Sequence, residues 1–388
     1  MLRYQILNGI LHFLVFLMGA GIGSFLNVVI YRLPRGISVN NPRRSFCPSC
    51  QKQIPWWQNI PVISWLMLRG KCSACGSGIA ARYLGVEVLV GILFYFAFIR
   101  FGGRWEEIAD WGPMVLSVWI FLALLVSGTF IDIEHFILPH EITIGGTVVG
   151  WLCAFWAPEL MGAATHSQGL FISFISSMLG LGILWLIVEL GKLAFGRVKH
   201  EFTEAEAWSV TQPNDEEPPV LNLQGEAYPW ADLFSRKSDR IIMKCGGVKA
   251  NDQTWSNVTA EVKMETLTIK GAAAGGKDEV LNLESVTLLE GTTTSVVIPR
   301  EAMGFGDVLF IAMIGAFCSW QGVLFTILAS SVIGTLFALI PRLLGKSEWS
   351  AKIPFGPYLA GGATIWIFWG AQIMDWYLRR SGLRIEDY

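Results

Sequence analysis

Residues 113–132 read PMVLSVWIFLALLVSGTFID, and they decide the fold class because the only charged residue of the stretch is its last, Asp132. An apolar helix of about 20 residues crosses the hydrocarbon core of a bilayer, which is about 30 Å thick. The stretch is therefore predicted to span a membrane. A carboxylate at its carboxyl end is unusual, because the helix dipole disfavours negative charge there. The presence of Asp132 at this position therefore requires an explanation other than helix formation.

The composition of the whole chain agrees with a membrane protein. Of its 388 residues, 53% are hydrophobic and 15% are charged, and the mean hydropathy is +0.48. Soluble domains carry about 25% charged residues. These values exclude a disordered chain, a basic nucleic-acid-binding protein and a disulfide-rich secreted module.

Apolar runs of similar kind recur along the chain and predict an all-α polytopic membrane protein. Arg and Lys are abundant in the segment 32–83, which the positive-inside rule assigns to the cytoplasm. Counting the predicted spans in both directions from this cytoplasmic segment places both chain termini on the outer side of the membrane. About eight transmembrane helices are predicted, at residues 8–31, 84–101, 113–131, 141–158, 169–196, 304–319, 321–341 and 353–374.

A second polar segment, 197–300, is called the insert below. Its part 200–240 is acidic and contains prolines, which predicts a linker, whereas 241–299 shows the alternation of strands, as in Val258, Ala260 and Val262. A small β-rich domain of a few strands is expected, and its acidic surface argues against nucleic acid as a partner. The predicted domains are a first transmembrane helix (1–31), a cytoplasmic zinc-binding loop (32–83), helices 2–5 (84–196), the acidic linker and β-rich cytoplasmic insert (197–300) and helices 6–8 (301–388).

Four of the seven cysteines form two C-x-x-C pairs, Cys47 with Cys50 and Cys72 with Cys75. Two such turns can supply four thiolates to one tetrahedral ion, for which structural Zn²⁺ is the default and iron an alternative. Two disulfides or free thiols are the competing interpretations, and a cytoplasmic location disfavours disulfides. The other three cysteines are interpreted as packing residues: Cys153, Cys245 and Cys318.

Two aspartates lie at predicted membrane edges, Asp132 at the end of the third span and Asp307 at the start of the sixth. If they approach each other, one carboxyl group can act as an acid and the other as a base, as in aspartic proteases. The competing interpretation is that each aspartate caps a helix end, which suits Asp307 better than Asp132. A weaker alternative is a metal site built from nearby side chains: Glu134, His135, His140 and Glu141.

At this point the sequence resembles a known family, the type IV prepilin peptidases, which are G-x-G-D membrane aspartic proteases. The resemblance covers nearly the whole chain except the insert. Any single block is weak, but six in order are specific. The blocks are Gly23–Pro34, the two C-x-x-C pairs, Ile79–Glu87, Asp132 with Leu138-Pro139, Gly304-Phe305-Gly306-Asp307, and Pro354-Phe355-Gly356-Pro357-Tyr358.

The resemblance implies a multi-pass enzyme of the bacterial inner (cytoplasmic) membrane. Its substrates would be type IV prepilins and type II secretion pseudopilins, cut at the cytoplasmic face, with Asp132 and Asp307 as the catalytic pair. It further implies N-methylation of the new N-terminus with S-adenosyl-L-methionine, although no segment is identified as the methyl-donor site. The four paired cysteines would hold zinc, and membrane lipid and prepilins would be the partners.

Two features depart from the family pattern. His140 stands where the family usually has an aspartate, from which we infer that this second acid is not catalytic. The insert is longer than the family's usual connection and could gate substrate, bind pilus or secretion assembly proteins, or have no specific role. A non-enzymatic zinc-stapled membrane scaffold or transporter component is the alternative function.

Overall fold

The computed structural model divides the chain into two compact units, Met1–Trp185 with Met303–Tyr388, and Leu186–Ala302. Each unit is described by itself. The structure describes residues 2–42, 44–103, 107–195, 197–212, 218–234, 239–271, 278–283, 286, 288–299, 304–343 and 353–381.

Long apolar helices build the first unit, as the sequence predicts. They are α1 (Leu2–Arg32), α3 (Ala81–Phe101), α4 (Ile108–His135), α5 (His140–Trp156), α6 (His166–Phe195), α8 (Phe305–Leu343) and α9 (Gly356–Ser381), with a short α2 (Ile63–Met67) in the polar loop. By length and composition, five segments of the described chain could cross a membrane: Gly9–Arg35, Ala81–Phe101, Ile108–His135, His166–Lys192 and Phe305–Ile340. The count of eight spans stays a prediction.

The spans expected at 304–319 and 321–341 join in α8, which is broken at Ser319 (φ 57°, ψ 177°). A straight helix of its 39 residues would be about 58 Å long, far more than a bilayer core. The two halves instead form a hairpin. Gly306 at one end contacts Leu138, and Phe337 near the other contacts Tyr358 in the first turn of α9.

The starts of α5, α8 and α9 therefore meet the end of α4 at one end of the helical unit, which we call the aspartate edge. At this edge Leu138 contacts Gly306, and Asp132 contacts Gly356. Deeper in the unit, the rings of Phe121 on α4 and Phe317 on α8 stack with their centroids 4.7 Å apart. The core of the unit thus fixes the helices that carry the two aspartates.

The second unit is an eight-stranded antiparallel sheet in the order β3-β2-β1-β8-β4-β5-β6-β7. Its strands are β1 (Arg197–Thr211), β2 (Val220–Leu223), β3 (Glu226–Pro229), β4 (Ile241–Ala250), β5 (Gln253–Val262), β6 (Thr266–Lys270), β7 (Glu279–Asn282) and β8 (Leu289–Pro299), and a short α7 (Trp230–Leu233) follows β3. The indole of Trp230 donates a hydrogen bond to the carbonyl of Met264, between β5 and β6, at 3.3 Å. This contact joins the segment after β3 to the turn between β5 and β6, and Trp230 belongs to the core that both sides of the sheet share.

Two expectations about the insert need correction. The stretch 200–240, predicted as linker, holds most of β1 together with β2, β3 and α7, and the acidic run 213–217 lies outside the described residues. The expected few strands are eight. The alternation in β5 and β6 is confirmed, since Val258, Ala260 and Val262 are buried, but Met264 lies exposed in the turn.

Packing of the sheet core gives a testable expectation. Met243 on β4 is fully buried among the core side chains of the insert. Met243→Ala should destabilise the insert by about 2–5 kcal/mol, because it removes buried methylene groups and leaves a cavity. The change is measured as earlier proteolytic cleavage within the insert when the solubilised full-length chain is heated. Val280→Ala, on an exposed β7 side chain, is the control and should leave cleavage unchanged; equal effects of both variants would contradict the packing.

Candidate active site and metal centre

The two C-x-x-C pairs lie on backbone turns of the same design. In the first, the Cys47 N–H donates to Lys52 and the Cys47 carbonyl accepts from Gln51. In the second, 25 residues later, Cys72 makes the same two contacts with Ser77 and Gly76. Gln51 and Gly76 both adopt a left-handed backbone (φ 59° and 72°), which turns the chain back after each pair.

The two turns bring their four sulfur atoms together, within 4.8 Å of one another. The Sγ atoms of Cys47 and Cys75 are 3.8 Å apart, the edge of about 3.8 Å expected for a tetrahedron with Zn–S bonds of about 2.3 Å. All four cysteines are free of disulfides. The pKa of Cys47 is lowered by the Cys50 backbone N–H and the Ser77 hydroxyl, whereas desolvation and neighbouring sulfur atoms raise that of Cys50, as expected for thiols crowded together. The donor set therefore fits zinc.

The remaining three cysteines lie outside this group of four sulfur atoms. Cys153, Cys245 and Cys318 are buried in packed surroundings, as predicted.

At the aspartate edge, Glu134 forms an ion pair with Arg82, and His135 Nε2 lies 3.4 Å from the guanidinium of Arg35. Within the described ranges the cysteines are the one group of ligands close enough to hold a metal, so the alternative metal site is not supported.

Asp132 lies in the last turn of α4, and Phe136, directly after the helix, has a left-handed conformation (φ 55°). The carboxylate is 5% exposed. Its Oδ2 accepts a hydrogen bond from the backbone N–H of Gly356, the first residue of α9, at 2.9 Å. A helix of 26 residues thus presents its positive end to Asp132, which offsets the unfavourable end of its own helix.

Asp307 is the third residue of α8 and is 8% exposed. Its backbone N–H donates to Gly304, whereas its Oδ1 is buried without a hydrogen-bond partner. A buried carboxylate oxygen without a partner is costly unless a proton, a water or a substrate group satisfies it.

The glycines around Asp307 have different surroundings. A Cβ on Gly306 would lie 3.0 Å from the Cβ of Leu138, so this glycine lets the start of α8 pack against the chain that follows α4. A Cβ on Gly304 would meet only the Asp307 carboxylate, at 3.9 Å, and a backbone nitrogen at 4.0 Å. Among the residues that the structure describes, no other atom lies within 4 Å of that position.

The structure brings the two aspartates into electrostatic contact, since the charge of Asp132 acts on Asp307. Close packing between α4 and α8 supports this, because a Cβ on Gly128 would lie 2.9 Å from the ring of Phe310. The sequence motifs located both aspartates. They did not reveal the Gly356 N–H as a partner of Asp132, although a glycine between two prolines at the start of a helix is a signal for a specialised backbone contact.

Glu87 on α3 forms a side-chain hydrogen bond with Ser24 of α1, and it also joins α3 to the polar loop. Its Oε2 accepts a hydrogen bond from the Val62 N–H at 2.7 Å. Val62 has a positive φ of 65°, a strained conformation for a β-branched residue. Beside it, Asn27 of α1 donates to the Tyr83 carbonyl at 3.0 Å. These contacts fix the base of the loop that carries the cysteines against α1 and α3.

Comparisons with known proteins agree with this arrangement. The model of the bacterial peptidase A24 N-terminal domain matches residues 17–101, and that of the type IV leader peptidase family matches residues 280–339. A prepilin leader peptidase/N-methyltransferase of Stutzerimonas stutzeri is 28% identical over 94% of this chain and 93% of its own length. The protein of the same name from Pseudomonas aeruginosa is 27% identical over 95% and 93%, and that from Myxococcus xanthus 40% over 41% and 46%.

No solved structure matches the chain. The two family models match in chain order, one across α1, the cysteine turns and α3 and the other across Asp307. The relatives from Stutzerimonas stutzeri and Pseudomonas aeruginosa align over more than nine-tenths of both lengths. The chain is therefore similar to prepilin leader peptidase/N-methyltransferases over most of its length, and its segment 280–339 matches the model of the type IV leader peptidase family.

Proposed function

We propose that this protein is a membrane aspartic endopeptidase that removes the leader peptides of type IV prepilins and type II secretion pseudopilins and then N-methylates the new N-terminus. The observation that carries the proposal is the pair of buried carboxylates, Asp132 and Asp307, at one edge of the helical unit. The names of the relatives supply the substrate class and the second activity.

The catalytic roles follow from the chemistry of two neighbouring carboxyl groups. Like charges in a poorly solvated site cannot both form easily, so the pair holds one proton between them. The ionised member removes a proton from a water as its oxygen bonds to the scissile carbonyl carbon. The protonated member gives its proton to the amide nitrogen as the C–N bond breaks. A free carboxyl terminus on the leader and a free amine on the pilin result.

The site suits a substrate that reaches it from the membrane edge. Gly304 is exposed and has no side chain, so within the described part of the chain a peptide backbone can approach it next to Asp307. Arg and Lys residues of the loop 32–83 support a cytoplasmic location of this edge by the positive-inside rule. We therefore place cleavage at the cytoplasmic face of the bacterial inner membrane.

The cysteines are proposed to hold a structural zinc ion, because four thiolates leave no coordination position for substrate. The loop they belong to is too short to build a sufficient core of its own, so the metal would supply much of its stability. S-adenosyl-L-methionine would supply the methyl group that the new amine receives. The insert is the segment we propose for contact with pilus or secretion assembly proteins.

The first prediction concerns the aspartates. Asp132→Asn and Asp307→Asn should each lower prepilin cleavage about 10²–10⁴-fold, the usual contribution of a positioned acid or base. Cleavage is followed in membranes as the shift of the substrate to the mature form. Asp375→Asn is the matched control, since this exposed aspartate on α9 pairs with Arg379, and it should cleave normally. Full processing by either site variant, at normal protein level, would favour the scaffold or transporter hypothesis.

The second prediction concerns the cysteines. Cys72→Ser should reduce bound zinc from about one ion per chain to a small fraction, because three thiolates hold the ion less tightly than four. Zinc is measured by elemental analysis of the purified chain, and N-methylation by the mass of the mature pilin. Cys153→Ala, which removes a buried cysteine outside the set, should keep its zinc. Equal zinc in both variants would contradict the proposed centre.

A further inference from the structure

The contact between Asp132 and Gly356 is tighter than an ordinary helix packing contact. The Gly356 N–H reaches Oδ2 of Asp132 at 2.9 Å, and the bond is buried. A Cβ on Gly356 would lie 2.7 Å from the same oxygen and 3.4 Å from the Cβ of Asp132. The carboxylate thus occupies the space that any side chain at 356 would need.

The first turn of α9 leaves this one N–H free for the carboxylate. Pro357 has no N–H to offer. The N–H groups of Tyr358 and Leu359 both donate to the Phe355 carbonyl, at 3.1 and 3.2 Å. Among residues 356 to 359, the donor that remains is that of Gly356, and Asp132 accepts it. The sequence around Gly356 therefore directs the donor of a helix start onto a single carboxylate.

The two aspartates differ in this respect. The N-terminal end of a helix faces each aspartate, so a helix dipole acts on both. Asp307 lies in the first turn of α8, and the Asp132 carboxylate lies against the first turn of α9. Asp132 accepts a hydrogen bond from a backbone N–H, whereas Oδ1 of Asp307 has no hydrogen-bond partner among the residues that the structure describes. A hydrogen bond from an N–H stabilises the charged form of a carboxylate, and an oxygen without a donor is better tolerated on a protonated carboxyl group.

We propose that the Gly356 N–H is a positioning group that holds Asp132 as the ionised base and leaves the shared proton on Asp307. This inference rests on the proposed peptidase function. In the reaction, Asp132 takes a proton from the water whose oxygen bonds to the carbonyl carbon. Asp307 gives its proton to the leaving nitrogen as the C–N bond breaks, and the proton on Asp132 then returns to Asp307 to restore the pair.

Other titratable groups at the aspartate edge belong to the elements that pack against α4. Glu134 and His135 on α4 itself are engaged by Arg82 and Arg35. The remaining groups on the neighbouring helices are His140 and Glu141 on α5, Asp307 on α8 and Tyr358 on α9. Among these described groups, Asp132 acts by its charge on Asp307, so the pH profile of cleavage reports on the pair.

The decisive variant is Gly356→Ala, with Gly361→Ala as the matched control on the same helix, where a Cβ would meet no atom within 4 Å. The methyl group at 356 should displace the carboxylate from its donor. Cleavage should then fall about 10²-fold in kcat with little change in KM, as for an ångström-scale misplacement of a reacting group. The acidic limb of the pH profile should move to higher pH, because the displaced carboxylate has lost the donor that favours its charge. Gly361→Ala should behave as wild type.

A thermal-unfolding cycle tests the contact without using catalysis. Gly356→Ala should lower the Tm of the purified chain in the wild-type background. In an Asp132→Ala background the space beside residue 356 is vacated, so the same substitution should no longer lower the Tm. An equal drop in both backgrounds, or reduced cleavage with an unchanged pH profile, would overturn the positioning role. A failure of the peptidase proposal is distinguishable, since Asp132→Asn would then cleave normally whatever the cycle shows.

Discussion

Close approach between helices is the constraint on which the site depends. Helices in an apolar surrounding gain little from hydrophobic burial against one another, and they pack tightly where small residues let their backbones meet. Here Gly128 admits the ring of Phe310, Gly306 admits Leu138, and Gly356 admits the Asp132 side chain. Three separate parts of the chain thereby deliver two acids and one backbone donor to the same edge. Larger residues at these positions would separate the groups before any chemistry could occur.

An ion pair, rather than close packing, links the polar segment 32–83 to the aspartate edge. Arg82, at the start of α3, reaches Glu134 on α4, two residues beyond Asp132. Glu87, one turn further along α3, holds the strained Val62 of the loop. The cysteine turns and the end of α4 therefore share α3 as a common support. A disturbance of the loop base would be transmitted toward Asp132 through two adjacent turns of one helix.

Local sequence signals predicted the features that need few distant partners. The C-x-x-C spacing predicted the grouping of four sulfur atoms, because each turn is complete within about six residues, and uncharged runs predicted the helices. The partner of Asp132 is 224 residues away in the chain, which no local pattern encodes. The stretch 200–240 was misinterpreted for a similar reason. Acidic residues suggested solvent, but β1 is a central strand that pairs with β8, and a shift in register between Glu201 and Glu206 interrupts its alternation.

The pairing of β1 with β8 has a consequence for how the chain tolerates its insert. Arg197 and Pro299, at the two ends of this segment, face each other across the ladder, so about one strand spacing, ~4.8 Å, separates the points where the chain leaves and returns. Within the insert, the two ends of the segment are thus paired in one β ladder. A connection of a few residues could close the same gap at small entropic cost. The β unit can therefore be enlarged, shortened or exchanged between related chains while the helices that follow and precede it keep their positions.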